Sequence, residues 1–126
     1  MDNVETVQKI FDCFGRGDIE GLLEYLDPQV EWEHDWGVMP PALYKPRRGR
    51  DEVRGFFQDL AAYDFLRFEP VEFLSGGNMV AVPIRLEMRH KETGKTMKDL
   101  EVHLWTFGED GKVTRMRHVL DGRQFE

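Results

Sequence analysis

Cysteine is almost absent: Cys13 is the one thiol in 126 residues, so no disulfide can close within the chain. It falls on a helical stripe with Ile10, Phe11 and Phe14, where a thiol acts as a small core hydrophobe. No apolar run approaches the roughly 20 residues that a bilayer-crossing helix needs, so no membrane partner is expected. A basic excess is lacking too. The chain has 24 acidic against 17 basic residues and a formal charge of -7, the wrong sign for a phosphate backbone. No nucleic-acid partner is expected. The one basic cluster, Lys45, Arg47, Arg48 and Arg50, is interrupted by Pro46 and Gly49 and reads as a solvated loop. The first residues carry no succession of basic, apolar and small residues, so no leader is expected and a cytoplasmic location is. Gly76-Gly77 lacks the pattern of a phosphate loop, and no repeat, linker or low-complexity stretch is present.

What is present suffices for one domain spanning residues 1–126. Hydrophobic residues make up 40% of the chain and charged residues 33%, enough to fill a core and cover a surface. Asp2 with Glu5 reads as a helix start, and Val4, Val7, Ile10, Phe11 and Phe14 follow at helical spacing. Gly15 and Gly17 stop that helix. Asp18 caps a second, whose buried side is Ile19, Leu22, Leu23 and Leu26, with Asp27-Pro28 ending it. Residues 30–34 alternate, placing Val30, Trp32 and His34 on one face and Glu31 and Glu33 on the other. A proline-rich loop over 35–48 follows, of a length typical of lids and rims. Asp51 then caps a third helix in which Val53, Phe56, Phe57 and Leu60 share a face.

From Phe65 the period changes to two. Strands are predicted over 65–74, where Pro70 demands an edge or bulge, and over 79–90, 96–107 and 112–120, with tight turns at Gly94 and Gly111. Helices followed by long antiparallel strands make an α+β fold. Strands of this length must twist and curl, so the sheet is expected to be strongly curved, cone-shaped and wrapped around the three helices, with an internal pocket as the ligand site.

Counting back from the turn at 108–111 opposes Phe107 to Lys112, Trp105 to Thr114, His103 to Met116 and Glu101 to His118. Glu101, His103, Trp105, Met116, His118 and Leu120 then share one face. On the strand over 79–90, Ile84, Leu86 and Met88 are expected inside, although a slip of one residue would exchange them for Arg85, Glu87 and Arg89.

Three segments in order resemble one family: Phe14-Gly15-Arg16-Gly17-Asp18-Ile19-Glu20-Gly21-Leu22-Leu23, then Gly49-Arg50-Asp51-Glu52-Val53, then Asp110-Gly111-Lys112-Val113. They are similar to the SnoaL-like, ketosteroid-isomerase-like superfamily, also called nuclear transport factor 2-like. The resemblance implies that His103, Met116 and His118 point inward. It puts His34 where steroid isomerases hold a carboxylate base and His103 where they hold a protonated acid. Ile10 falls at the position of their phenolic donor, so that mechanism is not expected. An epoxide-hydrolase reading needs an Arg-x-Asp pair where this chain has Glu101 and His103. SnoaL-type cyclases would match His103, with His118 in place of their acidic base. The resemblance further implies no metal, no other cofactor, and a homodimer formed through the outer sheet face carrying Leu100, Val102, Leu104 and Val119.

The candidate catalytic set is His34, His103, His118 and Glu101, because desolvated imidazoles can serve as base and acid in one site. Trp32, Trp36, Met39, Phe57, Trp105, Met116 and Leu120 are the candidate ligand-binding residues, with Tyr44 on the loop closing over a small apolar molecule of polyketide or steroid type. Isomerase, cyclase and dehydratase reactions fit this set. Passive ligand binding and a dimerisation module with an idle cavity are the alternatives. His90, near a hairpin end, reads as a solvated surface group.

Overall fold

Capping and apolar spacing explain the helices. A computed structural model describes residues 2–33 and 42–121; His34, Trp36 and Met39 lie outside them. Helix α1 (Asn3–Gly15) begins where the Asp2 carboxylate accepts the Glu5 amide at 2.8 Å, and it buries Val7, Ile10 and Cys13. The short α2 (Ile19–Leu23) is capped by Asp18, which accepts the Gly21 amide at 2.9 Å. It stops three residues earlier than its apolar pattern suggests. Leu26 instead opens strand β1 (Leu26–Trp32), and Asp27-Pro28 sits where the register of that strand breaks between Leu26 and Glu31. A proline there forfeits no ladder hydrogen bond.

A 3-10 turn (Ala42–Tyr44) and the two-residue β2 (Arg47–Arg48) lead into α3 (Gly49–Leu60). The cap position of α3 is Arg48, not Asp51. Gly49 takes a positive φ of 83°, so the helix starts two residues before Asp51. Glu52 reaches back to accept the Arg48 amide at 2.8 Å, and Asp51 pairs with Arg54 on the surface.

The remaining strands are β3 (Tyr63–Pro70), β4 (Leu74–Gly76), β5 (Met79–His90), β6 (Thr96–Phe107) and β7 (Val113–Val119). The expected strand over 65–74 is thus two strands, separated after Pro70. Pro70 ends an edge strand, as its missing N–H requires. Seven strands form one curved, unclosed sheet in the order β2-β1-β7-β6-β5-β3, with β4 also on β5. All pairings are antiparallel except β1 with β7. Along β5, Val80, Val82, Ile84, Leu86 and Met88 are buried and Arg85 and Arg89 are exposed. The apolar set is inside, and each fully buried side chain of this kind contributes roughly 1.5–3 kcal/mol. No helix among the described residues is long and apolar enough to cross a membrane.

The hairpin of β6 and β7 differs from the count made from its turn. Phe107 opposes Val113, a bulge follows, and then Trp105 meets Met116 and His103 meets His118. The turn adds one residue and the bulge another. Two single slips restore the parity, so the inward face is the expected one although every partner beyond the bulge moved by two.

His90 is not simply solvated. It is half-buried, its ring packs on Tyr63 at 5.0 Å, and its Nδ1 accepts the amides of Glu92 and Thr93 at 3.2 and 3.3 Å.

Candidate functional site

Strand parity assembles the site. On β6, Glu101, His103 and Trp105 alternate inward, and on β7 Met116 and His118 do the same. Because His103 and His118 are directly paired across the two strands, their rings meet with centroids 4.5 Å apart. Glu101, two residues along, reaches both: its Oε2 lies 3.3 Å from His103 Nε2 and its Oε1 3.9 Å from His118 Nε2. All three side chains are buried.

The fourth member is Glu33, which alternation places on the outside. It is instead fully buried, with 0% of its surface exposed. Its backbone takes a φ of 63°, alone among the non-glycine described residues, and this turns its side chain back inward. A left-handed conformation costs a non-glycine residue on the order of 1–2 kcal/mol. The contacts obtained explain why it persists. The Glu33 amide donates to the Met116 carbonyl at 2.7 Å, and its carboxylate accepts the His118 amide at 3.2 Å from both oxygens. The His118 Nδ1 also hydrogen-bonds Glu33 Oε1. No signal in the sequence marks Glu33, because the inversion is set by one backbone dihedral at the end of β1.

These surroundings push the two imidazoles apart. Burial lowers the proton affinity of His103, only partly countered by Glu101, and the net shift is downward. Burial acts the same way on His118, but the charge and hydrogen bond of Glu33, with help from Glu101, outweigh it and the net shift is upward. Glu101 is lowered: burial opposes its charge, and the nearby imidazoles more than compensate. Tyr44, buried with its ring 5.2 Å from that of His118, is raised well above the ordinary phenol value, by burial first and then by Glu101 and Glu33. It stays protonated and can donate.

Around these groups lies a cavity of about 50 Å³, room for a few waters. Trp32, Phe57, Trp105 and Met116 line it together with Glu101, His103 and His118, and so do Tyr44, Phe56 and the α1 residues Ile10, Phe11 and Phe14. Leu120 is half-buried against the core and does not line the cavity. Among the described residues, Trp32 Nε1, Trp105 Nε1 and both ring nitrogens of His103 are buried without a hydrogen-bond partner. The 3.3 Å approach of His103 to Glu101 is close without being aligned. Glu101, His103 and His118 also offer ligand atoms within 4.8 Å of one another, a spacing compatible with a cation, although each already faces a partner of opposite kind.

The SnoaL-like domain model matches residues 7–116. Among solved structures, an NTF2-like protein from Burkholderia xenovorans LB400 is 31% identical, with 98% of this chain and 92% of that one covered at a TM-score of 0.84. An NTF2-like protein of unknown function from Burkholderia pseudomallei K96243 is 28% identical over 98% and 95%, also at 0.84. TerC, co-crystallized with polyporic acid, is 30% identical over 98% and 94% at 0.82. No curated protein matches the chain. By family model, by identity and by fold, this chain belongs to the SnoaL-like domain family, with the NTF2-like fold.

Proposed function

We propose that the chain binds a small, largely apolar molecule of polyketide or steroid type in this cavity. Acid–base chemistry by its paired histidines then acts on that molecule, in a reaction of isomerase, cyclase or dehydratase type. The observation that supports this reading is the pair His103–His118. Two imidazoles in contact, driven in opposite directions by their surroundings, supply a base and an acid in one site. His103, held neutral, accepts a proton from carbon next to a carbonyl. His118, held charged by Glu33, presents Nε2–H to the oxygen on which the enolate charge develops. Glu101 lies between them and can pass the proton on, and the indoles of Trp32 and Trp105 supply further donors to ligand oxygens. Glu33 acts through His118 as a positioning residue.

That TerC was co-crystallized with polyporic acid makes this compound the first probe. Titration calorimetry should show binding to the wild type that weakens about tenfold or more in His103→Ala, as expected when one buried hydrogen-bonding group is lost. Product formation that disappears in both His103→Ala and His118→Gln while binding persists would establish catalysis. Binding without turnover in the wild type would mark a carrier. Equal affinity of the wild type and a His103→Ala/His118→Ala double variant, across polyporic acid and related hydroxy-carbonyl compounds, would sink the reading.

A further inference from the structure

Two empty spaces in the molecule share a wall. The inner cavity, at about 50 Å³, is far below the roughly 300–1,000 Å³ of sites that enclose drug-sized ligands. It accommodates a head of a few atoms. On the other side of Phe11, Phe14, Phe65 and Phe68 lies a surface trough of about 580 Å³ between α1 and β3, lined also by Phe73, whose ring packs on Phe11 at 6.0 Å. The same four rings line both spaces.

All four rings are half-buried, with one side packed against the core and the other lining the trough. Phe11 and Phe68 pack edge to face at 5.4 Å. Both touch the His103 ring, at 5.8 and 6.1 Å, so they stand between this buried imidazole and the trough. Phe68 stands on β3, an edge strand supported by β5 alone. Behind it, His103 has Nε2 beside the Glu101 carboxylate at 3.3 Å, and its buried Nδ1 has no hydrogen-bond partner among the described residues. A buried polar group without a partner is costly, so a ligand head that bonds this nitrogen gains from the contact.

We infer that the cavity and the trough are two halves of one binding site. The ligand is an elongated small molecule, with a hydroxyl- or carbonyl-bearing head against His103 and an aryl arm lying among the phenylalanines. The inference rests on the inner cavity being a small-molecule site and adds the shape of the molecule it takes. The combined volume falls within the ordinary range for such sites, whereas the cavity alone does not.

The test compares phenol with 4-phenylphenol, which share a head and differ by one ring, by titration calorimetry on the full chain. Burial of the second ring should make 4-phenylphenol bind roughly tenfold or more tightly. In Gly15→Trp that ratio should fall toward one. An added Cβ at Gly15 meets nothing within 4 Å, and the indole would occupy the trough from the α1 side. Phe73→Asp, at another point of the trough lining, should lower the ratio in the same way and serves if Gly15→Trp does not fold. His103→Ala should weaken both compounds and leave their ratio intact. Equal affinities in the wild type, or an unchanged ratio in both trough variants, would overturn the bipartite site while leaving the inner cavity as a phenol site. Failure of both compounds to bind would count against the cavity as a ligand site and the inference with it.

Discussion

At the scale of the residue, Glu33 decides how the site is charged. Its carboxylate raises the proton affinity of His118, against burial that favours the neutral ring. Among the described residues, the other titratable groups facing that ring are Glu101, His103 and Tyr44. His118 has its proton affinity raised by folding, so its contribution to stability is complete below the unfolded value near 6.5. That contribution is lost as pH rises through the folded value. His103 has the opposite sign. Its affinity is lowered from 6.5, so stability falls as pH drops below that value and the unfolded chain takes up a proton the folded one refuses. The pair together therefore favours folding most near pH 6.5. In Glu33→Gln, His118 loses its principal counter-charge, and its titration midpoint, followed by its ring-proton NMR signal, should fall. Urea unfolding at a series of pH values should show the variant destabilised by roughly 3 kcal/mol near neutrality, with the gap to wild type narrowing as pH rises. An unmoved midpoint and a constant gap would show that Glu33 does not set the charge.

At the scale of the element, caps and turns separate what local sequence controls from what it does not. Asp18 was legible as a cap because a short acceptor preceded an apolar helical pattern, and it does bond the Gly21 amide. Asp51 offered the same signal, yet α3 starts earlier because Gly49 provides a positive φ and Glu52 closes back on the Arg48 amide. Asp18→Ala should therefore cost about 1 kcal/mol in urea unfolding, and Asp51→Ala should cost less than the measurement error. Equal losses would mean that the two aspartates play equivalent parts. The hairpin of β6 and β7 gives the matching lesson for strands. The turn count grouped the right residues on one face with the wrong partners, since a bulge between Thr106 and Phe107 offset the extra turn residue. Side-chain parity survives an even number of slips, and pairing does not.

At the scale of the whole molecule, the outer face of the sheet exposes Leu100 at 56% and Val119 at 36% beside half-buried Val102 and Leu104. We propose that a second copy covers this face. Light scattering at micromolar concentration should report a dimer, and Leu100→Asp should shift it to monomer. A wild-type monomer would refute the proposal. By itself the sequence determined the fold class, the helical and strand periods and the shared face of His103 and His118, because alternation and apolar spacing are local and repeat along the chain, while the resemblance to the SnoaL-like family implied that this face is the inner one. The stopping point of α2, the partners across β6 and β7, the two-compartment arrangement of cavity and trough and, above all, the inward turn of Glu33 were decided only in three dimensions. Each depends on contacts between segments far apart in the chain: Glu33 is held by His118, 85 positions away. Its strained dihedral is stable only because that ring and the Met116 carbonyl are already in place, and no local pattern of residues carries that information.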